Sequence, residues 1–189
     1  MYTGMKLIER LLTFGATWGF EKVLDQVNFK GLSQPLIDSI LSIAIQNEQL
    51  FIVKYLIDKG ADIHNRHDTS YRKAVDIMNV EILDYLLQQS PPIYENLNLL
   101  LESLMAPLRH IIRMTSFGIY KPNEEEKQFI KKVLDGKYNV MLQYLRDAGA
   151  TSSFMVYEVP NDRTITTLQN LLYPNKKVNS KRKMSKSNR

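Results

Sequence analysis

The run Leu50-Phe51-Ile52-Val53-Lys54-Tyr55-Leu56-Ile57-Asp58-Lys59-Gly60-Ala61-Asp62-Ile63-His64 decides how the chain folds. Ile52, Val53, Leu56 and Ile57 follow the i, i+1, i+4, i+5 spacing that lines one face of a helix with a 3.6-residue period. Gly60 ends that helix, because a residue without Cβ enters the left-handed C′ conformation at least cost. Ala61-Asp62-Ile63 leads out into a short polar loop. One such unit cannot bury its apolar stripe alone and needs a neighbour.

The neighbours recur at a period near 30. A shift of 30 lays Ala44 on Ala74, Leu41 on Tyr71, Ile52-Val53 on Ile82-Leu83 and Tyr55-Leu56-Ile57 on Tyr85-Leu86-Leu87. Upstream, a shift of 29 lays Gly15 on Ala44 and Val23-Leu24 on Ile52-Val53. Downstream, a shift of 89 lays Tyr55-Leu56 on Tyr144-Leu145 and Gly60-Ala61 on Gly149-Ala150. Self-similarity at such a period is the mark of stacked supersecondary units. The expected class is all-α, a helical-repeat solenoid of about four to five helix pairs, degenerate at both ends. The spacing predicts helices over 5–13, 18–28, 37–47, 50–58, 70–77, 80–88, 95–105, 107–116, 124–134 and 138–147. Asp38 or Ser39, and Thr69 or Ser70, are expected caps. Asn123 precedes Glu124, Glu125 and Glu126, a carboxylate-rich first turn that suits the positive end of a helix. Pro91-Pro92 and Pro122 mark breaks between units. Residues 1–150 are expected to form the repeat domain and 151–174 a C-terminal cap, with a short strand over 151–160 and a closing helix from Thr164 to Leu172. Residues 175–189 read as a disordered basic tail.

Composition, 44% hydrophobic and 24% charged over 189 residues, is ordinary for a soluble globular protein with a core. No apolar run approaches the roughly 18 residues of a membrane span, and the N-terminus lacks the basic-then-apolar layout of a signal peptide. The absence of cysteine excludes disulfides, thiol catalysis and Cys-ligated zinc. An intracellular, non-secreted protein is expected. The net charge of +5 belongs to the tail: Lys176, Lys177, Lys181, Arg182, Lys183, Lys186 and Arg189 are seven of the 25 basic residues. The 18 that remain face 20 acidic residues over 1–175.

Catalytic chemistry finds no foothold in this pattern. His64 and His67 flank Arg66, a cation that disfavours a metal ion, so they read as a solvated loop. His110 lies alone on a helix among apolar residues. Glu124, Glu125 and Glu126 are adjacent on a helix and point apart, so they cannot share a substrate. The eight glycines are scattered and form no phosphate loop. Trp18 reads as packing or as part of an N-terminal edge. No cofactor, metal or small-molecule substrate is expected, nor a membrane.

Helix pairs ending in Leu-Ile-x-x-Gly-Ala-Asp-Ile resemble ankyrin repeats. Gly60-Ala61-Asp62-Ile63, with Asp68, Arg72 and Ala74 after it, is similar to the shortened repeats of about 30 residues abundant in giant DNA viruses. The usual Thr-Pro-Leu-His is replaced by Ser39-Ile40-Leu41-Ser42 and Thr69-Ser70-Tyr71-Arg72, and the usual Gly-His of the inter-helix turn by Glu48-Gln49 and Met78-Asn79. The resemblance implies a protein–protein interaction module in the cytoplasm or nucleus of a host cell. It places the contact surface on Asn65, Arg66, His67, Asp68, Arg72 and Lys73, with the partner unidentified. The alternative is a nucleic-acid-associated or nuclear-targeted protein acting through Lys176, Lys177, Lys181, Arg182 and Lys183, which offer a weak polyanion contact.

Overall fold

The computed structural model describes residues 2–93, 96–118, 120–151 and 159–174, and every regular element among them is helical. The elements are α1 (Tyr2–Trp18), α2 (Glu21–Leu24), a 3-10 turn (Phe29–Gly31), α3 (Gln34–Gln46), α4 (Leu50–Asp58), α5 (Asn65–Asp76), α6 (Val80–Gln89), α7 (Leu97–Ser116), α8 (Glu124–Leu134), α9 (Lys137–Asp147) and α10 (Asp162–Leu172). None of these helices is long and apolar enough to cross a membrane. The expected strand over 151–160 falls mostly outside the described residues, as does the tail.

Helices α1, α3, α5 and α7 pack side by side in chain order, and α4, α6 and α9 form a second row against them. The buried stripes meet between the rows: Ile52, Val53 and Leu56 from α4, and Ile82, Leu83 and Leu86 from α6, are fully buried. Burying each such side chain contributes about 1.5–3 kcal/mol. Ala44 and Ala74, also fully buried, are small where helices approach. At the corresponding Gly15 a Cβ would lie only 2.8 Å from Leu24 Cδ2, so a side chain there would force Leu24 to shift.

The same backbone bonds return with the period. Phe20 N–H donates to Gly15 O at 3.0 Å, Gln49 N–H to Ala44 O at 3.0 Å and Asn79 N–H to Ala74 O at 3.1 Å. Just before each donor the chain enters the left-handed region, at Gly19 (φ 73°), Glu48 (φ 57°) and Met78 (φ 58°). Second helices close with Ala61 N–H on Leu56 O and Ala150 N–H on Leu145 O, both 2.9 Å, beyond Gly60 and Gly149 at φ 94° and 99°. Along the second row, Tyr55 Oη donates to Asp25 at 2.9 Å, Lys54 Nζ sits 5.1 Å from the Tyr85 ring centre, and Tyr144 Oη donates to Asp84 at 2.8 Å. Asp25, Lys54 and Asp84 are equivalent positions under shifts of 29 and 30.

Four expectations need correction. The helix predicted over 18–28 breaks at left-handed Gly19, leaving α2 only four residues long before Asn28 caps the 3-10 turn. The helices predicted over 95–105 and 107–116 are one helix, α7, with Pro107 inside it. Proline in a helix costs about 3 kcal/mol, but Leu100, Leu101, Leu104, Met105, Leu108 and Ile111 form one buried stripe across it, and that burial outweighs the lost hydrogen bond. Asp38, Ser39, Thr69 and Ser70 do not cap: α3 already begins at Gln34, Asp38 lies within it, and the Ser39 and Thr69 hydroxyls donate to Leu36 O and Arg66 O. The fourth concerns residues 65–68, where a loop was expected and α5 instead begins in a left-handed turn. Asn123 does cap α8, in a capping box with Glu126. Helix α10 closes the C-terminal side by packing on α8.

Candidate functional site

Arg66, His67 and Asp68 have φ values of 49°, 57° and 59°, a left-handed turn built without glycine. Each such residue costs roughly 1–2 kcal/mol, so the turn persists only where its surroundings over-determine it. The determinant is a pair of buried carboxylates thirty residues apart. Asp38 accepts from Gln34 Nε2 at 2.8 Å, from Asp62 N–H at 2.8 Å and from Asn65 Nδ2. Asp68, fully buried, is held by His64 Nδ1 at 2.6 Å. Arg72 reaches back over the turn, donating to His67 O at 3.3 Å and Arg66 O at 3.5 Å.

His64 also links to Ser90: Nε2 lies 3.0 Å from Ser90 Oγ. Tyr71 stacks on the His64 ring at 5.9 Å and its hydroxyl donates to Ser90 O at 2.5 Å. Burial, and after it the Asp68 charge, push the Tyr71 hydroxyl well above the usual phenol range, so it stays a donor. The Ser90–His64–Asp68 chain thus has the distances of a nucleophile, base and orienting acid. The layer below has the same geometry with inert groups: Gln34 Nε2 donates both to Asp38 and to Gly60 O, each at 2.8 Å. Gly60, Gln34 and Asp38 become Ser90, His64 and Asp68 under the shift of 30. Stabilising an acyl-transfer oxyanion needs free N–H donors near the nucleophile. Ser90 N–H is bound to Leu86 O at 3.1 Å, and Pro91 and Pro92 have no N–H. The arrangement clasps the start of α5 to the end of α6.

A third layer follows at position 98. Asn98 Oδ1 accepts from Thr151 N–H at 2.7 Å, as Asp38 Oδ1 accepts from Asp62 N–H. Positions 38, 68 and 98 are spaced by 30, whereas Asp62 and Thr151 are 89 apart. The extra length is the second half of α7 together with α8, inserted between α7 and the α9 that packs on it.

The six residues expected to form a contact surface divide by this geometry. Asn65, Asp68 and Arg72 are turned onto the protein and hold the turn. Arg66 and His67 are exposed at its crest, and Lys73 is half-buried. A shallow groove of about 230 Å³ runs between α3 and α5, lined by Ser39, Ser42, Gln46, Arg66, Thr69 and Lys73 among others. Burial lowers the Lys73 ammonium, with Asp76 opposing and Arg66 reinforcing that shift. The expectation of a solvated loop at His64 is corrected: its side chain is mostly buried and bonded at both ring nitrogens. His110 is exposed, 3.7 Å from Glu126. Among the described residues no three His, Asp or Glu converge on a point that would hold a metal ion.

Sequence reasoning overlooked Gln34 and Ser90 and gave Asp38 the role of a cap. The signal was present, since the same shift that aligns Ala44 with Ala74 aligns Gln34-x-x-x-Asp38 with His64-x-x-x-Asp68. No family model matches this chain, and neither a curated protein nor a solved structure does.

Proposed function

We propose that the chain is a non-enzymatic, ankyrin-like repeat solenoid that binds another protein through the α3–α5 groove and the left-handed turn at its mouth. The observation that carries this reading is that hydrogen bonding recurs with the period: the bridge from the residue four before to the carboxylate at both 38 and 68, and the acceptance of a backbone N–H at both 38 and 98. It supports units stacked on their neighbours, with the loops at 62–68 projecting along one edge. Backbone strain maintained without glycine suits a recognition turn, and the groove beside it sets the cations Arg66 and Lys73 among hydroxyl, amide and apolar side chains, with Asp38 in its wall. An acidic or hydroxyl-rich segment of a partner protein fits such a surface.

The charge concentrated in 176–189 favours a second reading, in which the tail contacts a polyanion or directs nuclear import. Affinity capture from a host-cell lysate, followed by quantitative mass spectrometry, separates the two. Partners of the groove are retained on deleting 175–189 and lost in Arg66→Glu/Lys73→Glu. If every specific partner is lost with the tail and none with the groove variant, the groove reading is wrong. Capture lost steeply with salt marks the tail.

A further inference from the structure

We infer that α1 is a self-association surface, and that its occupant is the α1 of a second copy of this chain. Helix α3 is covered on both flanks by α1 and α5, and α5 by α3 and α7. Helix α1 turns Leu12 and Ala16 to the core, yet its outer face is apolar as well. Leu7, Leu11, Phe14 and Trp18 are between 41% and 65% exposed, and Phe20, stacked on Phe14 at 5.5 Å, is 51% exposed. The opposite end of the molecule shows what a finished end looks like: α10 buries Leu168 and exposes Asp162, Arg163, Thr166, Gln169 and Asn170. Among the described residues α1 packs on α2 and α3, and its outer face carries apolar side chains where that of α10 carries polar ones.

The spacing and charge of the stripe point to a copy of itself. Positions 7, 11, 14 and 18 step by four, three and four, the a/d seam of a two-helix coiled coil. The stripe itself carries no charge, and Glu9 lies on the far side of the helix from it, so an uncharged apolar face such as its own is the match. Five side chains of this size, about half exposed, offer ~500 Å² per copy. Two copies then bury ~1,000 Å², the lower bound for a specific dimer, in a two-fold arrangement that uses one patch twice.

Trp18 is the only tryptophan, so it reports the surface directly. Sedimentation velocity and tryptophan emission of the full chain, taken over a wide concentration range, test the inference. The expected result is a monomer–dimer equilibrium, with a blue shift of Trp18 emission at the same midpoint. Leu7→Glu/Leu11→Glu, at exposed positions, weakens association about thirtyfold or more with an unchanged helical signal, and Val140→Glu on exposed α9 surface leaves it intact. A chain that stays monomeric with red-shifted emission at every concentration overturns the inference. So does a dimer that survives the double substitution, since it uses another face.

Discussion

Gln34 and His64 stand thirty residues apart and bridge the same two points in successive layers, a buried carboxylate four residues on and the end of the following helix. In the α3–α4 unit the bridge is an amide, which donates twice and carries no charge. In the α5–α6 unit it is an imidazole whose Nδ1 faces Asp68 and whose Nε2 faces a hydroxyl. With Nδ1–H given to the carboxylate, Nε2 is left to accept from Ser90. The lesson is that position in the unit dictates the bridge and leaves its chemistry open, so a catalytic-looking trio arises in one layer from parts that are inert in the other.

Breaking the shared element has the largest expected effect. Asp38→Ala leaves the Asp62 N–H and the Asn65 amide without their acceptor and Gln34 with Gly60 O alone. The loss is about 2–4 kcal/mol, read as a lower urea midpoint at unchanged m-value. Because Asn65 leads into the left-handed turn, amide exchange at 65–68 rises in the same variant. An Asp38→Ala protein as stable as the parent, with 65–68 still protected, breaks the equivalence of the two layers.

The next test makes the second layer resemble the first. His64→Ala costs about 1–3 kcal/mol, whereas His64→Gln restores a bridging amide and recovers most of that loss, read from thermal unfolding. Ser90, with its own N–H bound and prolines after it, takes up no fluorophosphonate, so the intact mass of the treated protein is unchanged. A labelled Ser90, abolished by His64→Gln, would falsify the clasp and make the trio a reactive site.

How much of this was legible beforehand follows from which forces leave a trace in residue type. Apolar burial does, so the stripes of α4, α6 and α9, and the small residues at 15, 44 and 74, were readable, and with them the pairing of helices. Gly60 and Gly149 announced helix ends because their conformation selects glycine. The turn at Arg66, His67 and Asp68 did not, because it is enforced from outside by Asp38 and Arg72 in spite of residue type. Pro107 suggested a break that the burial on both sides of it overrides. Asp38 was visible as a polar residue near a helix start, where capping is the commoner role, and Asp68 as part of a polar surface; only their shared spacing from Gln34 and His64 distinguishes them.

A smaller effect separates Glu48 from Met78, which share one left-handed backbone in the two units. Glu48 is exposed, and its carboxylate contacts Lys137 at 3.5 Å and Asn79 at 3.1 Å, surface interactions worth at most about 1 kcal/mol. Glu48→Gly relieves the φ cost and stabilises by about 0.5 kcal/mol net of the added freedom of the unfolded chain. Met78 is buried, and Met78→Gly loses about 2–3 kcal/mol of packing despite the same relief. Opposite signs in chemical denaturation are the expected outcome; equal signs would mean that the two turns are not equivalent.

The smallest expected effect lies in the tyrosines of the second row. Burial, and after it the bond to Asp25, push the Tyr55 hydroxyl up to about 12; burial and the bond to Asp84 do the same for Tyr144. Tyr85, under Lys54 where the others face carboxylates, is raised by burial and then by the charge of Asp58. A phenol whose folded pKa exceeds its unfolded value of 10 holds its proton longer in the native state. Its contribution is complete below pH 10 and is lost as the pH rises from 10 toward 12. Urea midpoints of Tyr55→Phe and Tyr144→Phe are therefore expected to fall less steeply than those of the parent across that window, with the two substitutions additive because the residues share no partner. Tyr85→Phe, which gives up no carboxylate bond, changes the slope least. If all three flatten it equally, the Asp25 and Asp84 bonds contribute nothing beyond burial, and the alternation of acid and cation along the row has no energetic consequence.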